Sequence, residues 1–237
     1  MKTKLTSLFI ISLLVVNFKS LAQTQDSISY KERYGITFGL DLSKIGRSFL
    51  EDNYTGAEAF IDYRYNDRIY IAAELGYDDK IYTEENLTSN TKGAYLKAGI
   101  NYNSYENWIG MQNLIYAGFR FGAASFSHDL TDYTIYTRDT FFNPDIRTEE
   151  RSFNSLTATW VELKAGIRVE VFKNIFLGAN VQLKFQTSAT ELNNFDHLYI
   201  PGFNRTYDSS SIGAGWGYSI SYMLPIYTKL KRQAIDN

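Results

Sequence analysis

Hydrophobic and polar residues alternate in eight stretches of the chain, and no segment has a convincing helical period. In Glu162–Val171, charges fall at almost every second position, between Leu163, Ala165, Ile167 and Val169. A period of two over this length is typical of strands whose two faces meet different surroundings. The predicted strands are Tyr34–Leu42, Ala57–Tyr65, Arg68–Tyr77, Gly93–Tyr102, Ile115–Ala123, Glu162–Val171, Ile175–Gln186 and Ile212–Leu224.

The connections between these strands alternate between short and long. The short ones are Asn66-Asp67, Phe172–Asn174 and a somewhat longer piece around Asn103–Gln112. The long ones are Ser43–Gly56, Asp78–Thr91, His128–Leu156 and Thr187–Ser211. This asymmetry predicts an all-β fold, an eight-stranded antiparallel up-and-down barrel with both termini at the short-turn end, as in transmembrane barrels.

The alternation alone does not say whether the apolar face of each strand points outward or inward, so two kinds of barrel are consistent with it. A soluble lipocalin-like barrel would enclose its apolar face around a ligand, whereas a transmembrane barrel would present that face to lipid. Tyr65, Tyr102 and Tyr222 at short-turn ends, with Tyr77 at a long-loop end, match the aromatic girdles of membrane barrels. The glycine-rich polar face suits a crowded lumen, so the sequence favours the transmembrane barrel.

Charged residues on the polar face nearly cancel, which is expected of a lumen where an unpaired charge costs several kcal/mol. We therefore predict a charge-balanced lumen filled by side chains, with structural pairing favoured over proton or ion transport and no open pore. The predicted lumen charge network is Glu58, Asp62, Arg64, Glu74, Lys97, Arg120, Glu162, Lys164, Arg168, Glu170 and Lys184.

The first residues predict export. Lys2 and Lys4 precede an apolar run, Leu8–Val16, and Ser20-Leu21-Ala22 has the spacing of a cleavage site. The run is short for a membrane anchor, which is the alternative. The predicted organisation is a signal peptide (1–22), an N-terminal periplasmic segment (23–33), the barrel (34–227) and a C-terminal periplasmic tail (228–237).

The amino-acid composition argues against several kinds of site and partner. The chain has no cysteine, so neither disulfides nor thiol chemistry are available. The net charge of −2 argues against nucleic acid as a partner. An acidic stretch with Asp78, Asp79, Glu84 and Glu85 would at best hold Ca²⁺ loosely, and a solvated loop is the favoured interpretation. We predict no metal site and no cofactor.

The two histidines, His128 and His197, fall in predicted long loops. A Ser-His-acid site is conceivable at His197, with Asp196 or Asp208 and the run Ser209–Ser211. Nothing in the spacing fixes these groups in register, so we predict no catalytic residue. A lipid A- or phospholipid-modifying barrel enzyme remains the alternative function.

One loop segment is unusually apolar. Leu198, Tyr199, Ile200 and Phe203 surround the turn-forming pair Pro201-Gly202. The segment either folds back over the barrel mouth, which we favour, or forms a loop interaction patch for a partner.

Four motifs carry a family resemblance: "NFDHLYIPGFNRTYD", "TKGAYLKAG", "YENWIGMQNLIYAGFRFG" and "WVELKAGIRVEVF". Over about Tyr34–Tyr227 the chain resembles an uncharacterised domain-of-unknown-function family of Bacteroidota outer-membrane β-barrel-like proteins. The resemblance implies the fold and the location, and it assigns no activity, cofactor or catalytic residue.

Together these features predict an exported protein of the cell outer membrane, a structural or interaction component of the Gram-negative envelope. The expected partners are outer-membrane lipid and lipopolysaccharide, with another envelope protein as an alternative partner of the long loops. We expect a monomer.

Overall fold

The structure is a computed structural model that describes residues 27–84, 86–107, 110–135, 145–148, 150–193, 195–207 and 209–234. The predicted signal peptide lies outside these residues. The elements are β1 (Ser27–Asp41), α1 (Leu42–Leu50), β2 (Tyr54–Arg64), β3 (Ile69–Glu84), β4 (Leu87–Asn103), β5 (Leu114–Ile135), β6 (Asp145–Arg147), β7 (Arg151–Phe172), β8 (Ile175–Ala189), β9 (Tyr199–Ile200), β10 (Asn204–Arg205) and β11 (Ile212–Ala234).

Eight of these strands form a closed antiparallel ring. The order around it is β1, β2, β3, β4, β5, β7, β8 and β11, and β11 pairs with β1. The short strand β6 adds to β5, while β9 and β10 pair only with each other. Apart from β1 and β11, which close the ring, the strands follow one another around the ring in their order along the chain, so the predicted eight-stranded up-and-down barrel is confirmed.

The chain divides into two compact units. Arg33–Thr228 contains the barrel, and the described residues of the other unit are 27–32 and 229–234. Within the latter, Lys231 forms an ion pair with Glu32. Since β1 begins at Ser27 and β11 ends at Ala234, strand structure extends into both segments that flank the predicted barrel. The periplasmic location of those segments stays a prediction.

The apolar parity of the strands faces outward. Leu75 pairs with Leu96 across β3 and β4, and both side chains are more than half exposed. Leu163 pairs with Leu183 across β7 and β8, and these side chains are 51% and 41% exposed. Because successive residues of a strand point to opposite faces, the intervening charged residues point inward.

Helix α1 was not predicted. Asp41 caps it, since its side chain accepts hydrogen bonds from the backbone N–H of Ser43 and Lys44. Leu42, Ile45 and Phe49 repeat at helical spacing, and this face is only partly covered: Phe49 is 85% exposed. The sequence does contain a helix signal here, an aspartate followed by a short apolar repeat at helical spacing, but this segment has no period-two pattern and was predicted to be a loop.

The prediction of a long loop over Asp78–Thr91 was wrong. Strands β3 and β4 stay paired up to Glu84 and Leu87, so the loop is a tight hairpin. The region 128–156 is likewise partly strand, because β5 continues to Ile135 and β7 begins at Arg151. Both extensions have polar residues on both faces, so pairing continues where alternation has stopped.

Candidate functional site: the barrel interior and its plug hairpin

The middle of the barrel holds a cluster of buried ions, which we call the central cluster: Glu58, Glu74, Lys97, Arg120 and Lys164. Strand register creates it, because Glu74 of β3 lies opposite Lys97 of β4, and β5 brings Arg120 from the next strand. Each residue is at most 8% exposed. The alternation of the sequence therefore becomes a single layer of opposite charges.

Glu74 is the centre of this cluster. Its carboxylate lies 2.5 Å from Lys97 Nζ, and it accepts hydrogen bonds from Lys164 Nζ at 2.7 Å and Arg120 Nε at 3.0 Å. Lys97 also lies 3.0 Å from Glu58, which accepts a 2.5 Å hydrogen bond from the Tyr95 hydroxyl. Several cations thus share few carboxylates, and removing one carboxylate would leave several charges unpaired.

Nearer the short turns, the charges form separate pairs. Arg168 donates to Asp62, and Glu170 accepts a 2.7 Å hydrogen bond from Arg33. Arg64 donates to the backbone oxygen of Arg33. Arg33, which was predicted to lie outside the barrel, therefore supplies the partner of Glu170.

Two members of the predicted network do not pair as expected. Glu162 is fully buried, yet neither carboxylate oxygen has a hydrogen-bond partner among the described residues, and Lys97 Nζ is 3.9 Å away. Lys184 lies opposite Glu162 in the β7–β8 register, but its ammonium donates to the backbone oxygen of Gly202 at 2.7 Å. Balanced charge thus does not mean that every charge has a partner.

A hairpin closes the interior at the end where α1 lies, which we call the mouth. This plug hairpin is Tyr199–Arg205, made of β9, a turn and β10. Tyr199, Ile200 and Phe203 are almost fully buried, and Ile200 and Phe203 pack in a hydrophobic cluster with Tyr95 and Trp160. Burial agrees with the expectation that this segment folds back, and leaves only Leu198 of the predicted interaction patch partly exposed.

The turn of the plug hairpin requires glycine. Gly202 has a φ of +78°, a left-handed conformation that other residues rarely adopt. A Cβ there would lie 2.5 Å from the ring of Tyr95. Both the backbone conformation and the contact with the barrel wall therefore depend on the missing side chain.

One buried acid, Asp78, fastens the plug hairpin and helix α1 to the wall. It accepts hydrogen bonds from Lys44 Nζ at 2.8 Å, the Tyr54 hydroxyl at 2.7 Å and the Tyr199 hydroxyl at 3.1 Å. The backbone N–H of Gly202 donates to it at 2.9 Å. Asp78 was predicted to be a solvated loop residue, although it continues the inward parity of Glu74 in β3.

The two histidines lie close together near the mouth. His128 is buried, and its Nδ1 forms a 2.6 Å hydrogen bond with the Thr91 hydroxyl. The ring of Phe195 packs on His128, and Phe126 packs on His197. Within the described residues His197 Nε2 bonds to the backbone oxygen of Thr190, not to a serine, and Asp208 lies outside them.

Three ionisable groups near the mouth, outside the apolar band of the barrel, have shifted pKa values: Arg47, Glu51 and His128. A hydrogen bond from Arg47 lowers the pKa of Glu51, at the end of α1, to about 2. Burial lowers the pKa of Arg47, but the hydrogen bond to Glu51 and the charge interactions with Tyr54, Glu51 and Tyr199 together outweigh burial and raise this pKa. Burial, with the nearby His197, lowers the pKa of His128 to about 4, so this imidazole is neutral at pH 7.

The family described as domain of unknown function (DUF6048) matches residues 1–229 of the chain. The chain belongs to the DUF6048 family. Among curated proteins, none matches this DUF6048 chain.

Two solved structures of Ail, the attachment invasion locus protein of Yersinia pestis, are similar in fold. One has a TM-score of 0.38 and 9% identity, covering 83% of this chain and 99% of Ail. The other, in complex with the heparin analogue sucrose octasulfate, has a TM-score of 0.35 and 10% identity, covering 81% and 97%. These values carry no argument about the function of the DUF6048 chain.

The described residues contain no helix with the length and hydropathy needed to cross a membrane. They also contain no group of three or more histidine, aspartate and glutamate residues placed to hold a metal ion.

Proposed function

We propose that this DUF6048 protein is an outer-membrane β-barrel of a Gram-negative bacterium, a member of the Bacteroidota, and that it acts as a closed structural or interaction component of the envelope. The observation that supports this most strongly is that the barrel is apolar outside and charged inside, the reverse of a water-soluble protein. Large apolar side chains face outward around the ring, while the central cluster is buried inside.

The outward apolar side chains occur on all eight ring strands. One example from each strand is Phe38, Ile61, Leu75, Leu96, Phe121, Leu163, Val181 and Trp216. Ile61 is 38% exposed, and the other seven are about half exposed or more. A water-soluble protein rarely exposes a continuous apolar band, whereas a barrel in lipid needs one. Tyr65, Tyr102 and Tyr222 are exposed beside the short turns, as girdle residues would be.

The interior argues for a closed barrel. Charged side chains fill its middle, and the plug hairpin closes the mouth. A lipocalin-like barrel would instead need an apolar interior for its ligand, and the interior described here is lined by ions. The proposed partners are therefore lipid and lipopolysaccharide outside, and an envelope protein at the loops, with the barrel a monomer.

Fractionation of cells that express the full chain tests the proposal. We expect the protein in carbonate-washed outer membranes, with gel migration that changes on heating because the folded barrel resists unfolding by detergent. A freely soluble monomer would contradict it. N-terminal sequencing of the membrane form would test cleavage after Ala22.

Planar bilayer recordings test closure. We expect no steady conductance from the wild type, and Arg168→Leu should destabilise the barrel without opening a current, because the rest of the interior still fills it. A large steady current from the wild type would contradict a closed interior.

A lipid-modifying enzyme is the competing function, and the contacts of His197 do not favour it. Mass spectrometry of lipid A from a deletion strain separates the two functions. We expect an unchanged spectrum; a change that is restored by the wild type but not by His197→Ala would support the enzyme.

A further inference from the structure

A cavity of about 300 Å³ lies at the mouth, between helix α1, strands β8 and β11, and the plug hairpin. Polar and charged side chains form most of its wall. The ionic ones are Asp41, Lys44, Arg47, Glu51, Glu58 and Lys184. The cavity is large enough for a small polar compound, and its charges decide which kind it would accept.

Most of these ionic groups already have partners. Lys44 is bound to Asp78, Arg47 to Glu51, and Glu58 lies 3.0 Å from Lys97. The charges that come from α1 and β2 are therefore neutralised within the protein. Asp41 of β1 caps the helix through uncharged donors and has no cationic partner among the described residues, so it adds one negative charge to the wall.

Among the cations of the wall, Lys184 is the exception. It is 2% exposed, and the described residues give its ammonium one acceptor, the Gly202 oxygen, with no carboxylate within 4 Å. Glu162 faces Lys184 across β7 and β8, but beyond that distance. An ammonium has three N–H donors, and a buried cation without a close counter-charge is costly. The wall of the cavity thus carries one cation that no carboxylate of the described residues contacts.

A glycine lies beside this ammonium, at a position where a side chain would collide with its neighbours. Gly215 of β11 has no side chain, and a Cβ there would lie 3.2 Å from Lys184 Nζ and 2.8 Å from Gln182 Oε1. Asn204 of the plug hairpin would lie 3.3 Å from the same Cβ. Gln182 turns its carbonyl oxygen to this side, because its Nε2 donates to Asn180 Oδ1, whereas Asn204 presents its amide nitrogen, a hydrogen-bond donor.

We propose that this cavity is a binding site for a small oxyanion, a phosphate or carboxylate group, with Lys184 as its charged ligand and the side-chain amide of Asn204 as a hydrogen-bond donor. A compact ammonium is a common ligand of phosphate and carboxylate groups. The site uses only the barrel interior, so it goes beyond the proposed function and does not depend on the membrane.

Thermal unfolding of the detergent-solubilised full chain tests the site, because a ligand that binds the folded state raises the midpoint. Inorganic phosphate or, in a parallel series, sodium acetate is added at constant ionic strength, with sodium chloride as the reference. We expect a saturable rise for the wild type and for Gly46→Ala, the matched control, since a Cβ at Gly46 meets nothing within 4 Å.

Two variants should abolish the response by different routes. Lys184→Met removes the charge and keeps the hydrocarbon stem. Gly215→Ala keeps the charge but fills the space, and its nearest neighbours are the flexible ends of side chains. If Lys184→Met does not fold, Gly215→Ala alone decides. We expect at least about a tenfold loss of affinity, the usual effect of losing one charged hydrogen bond.

A second experiment with lipid vesicles distinguishes the two possible sources of the anion, a lipid headgroup and a free small anion. Phosphatidic acid vesicles should compete with inorganic phosphate if a lipid headgroup reaches the cavity, and phosphatidylcholine vesicles should not. Competition indicates a headgroup, and its absence indicates a free small anion; both outcomes support an oxyanion site. Equal responses of the wild type and Gly215→Ala, or no response of the wild type to phosphate or acetate, would overturn it.

Discussion

The middle of the barrel and its mouth are held together in different ways. In the middle, Glu74 shares its charge among Lys97, Lys164 and Arg120, and these ions come from four different strands. At the mouth, the single carboxylate Asp78 collects Lys44, two tyrosine hydroxyls and a backbone N–H. The first arrangement connects strands of the barrel wall with one another. The second connects helix α1 and the plug hairpin to the wall. We therefore expect damage in the middle to be global and damage at the mouth to be local.

The largest effect is expected from Glu74→Gln. The variant keeps the shape of the side chain but leaves three buried cations with too little negative charge, so the free energy of unfolding should fall by about 3 to 5 kcal/mol. Denaturant titration of the barrel in detergent measures it. Glu162→Gln is the matched control, because the Glu162 oxygens accept no hydrogen bond in the described part of the chain, and it should cost less. Equal losses would contradict the central place of Glu74.

Asp78→Asn should have the next largest effect, confined to the mouth. It leaves the Lys44 ammonium without a counter-charge and weakens the bonds to Tyr199 and Gly202, at a cost of about 3 kcal/mol for the local opening. Hydrogen exchange should show faster exchange in the plug hairpin and α1. Protection of the pairs around Glu74 should not change; loss of protection throughout the barrel would contradict a local role.

Acidification should loosen the mouth through His128. Its folded-state pKa is about 4 and its ordinary value is 6.5, so the unfolded state binds more protons between these values. The stability contributed by the neutral imidazole is thus complete above pH 6.5 and is lost as pH falls towards 4. Unfolding midpoints between pH 7 and pH 5 measure this. His128→Gln should flatten the slope; a slope identical to that of the wild type would exclude His128 as its cause.

The smallest effect is expected from Glu51→Gln, at the end of α1. Glu51 is partly exposed and pairs with Arg47 and Lys80, so solvent screening should limit the loss to about 1 kcal/mol. Because the folded-state pKa is lowered to about 2, this contribution is present above the ordinary pKa of 4.5 and is lost as pH falls towards 2. Helix protection in hydrogen exchange should fall slightly, and a loss as large as that of Asp78→Asn would contradict the ranking.

The sequence predicted the wall of the barrel well because the two faces of each strand meet different surroundings. Leu163 and Leu183 on one parity, and Glu162 and Lys184 on the other, mark lipid-like and ionic sides without knowledge of the register. Which cation meets which carboxylate depends on the register of several strands, so the members of the network could be named and their partners could not.

The mouth was less predictable. Beyond the apolar outer face, both sides of β3 and β4 are polar, and alternation no longer distinguishes strand from loop. Asp78 consequently looked like a solvated acid, and α1 was hidden in a segment assumed to be loop. The apolar plug hairpin was detectable because Ile200 and Phe203 are out of place in a free loop.

The pairing of β1 with β11 has a consequence for how the chain folds. A Cβ on Gly35 would overlap the backbone oxygen of Leu224, so the two segments that close the ring are in direct contact. Contacts between positions so far apart in the sequence are entropically slow to form. Every other ring pair joins neighbours in the chain, so we expect a long-lived species with seven pairs made and one seam open. That seam leaves two strand edges unsatisfied, which makes it the stage most exposed to mispairing with another chain.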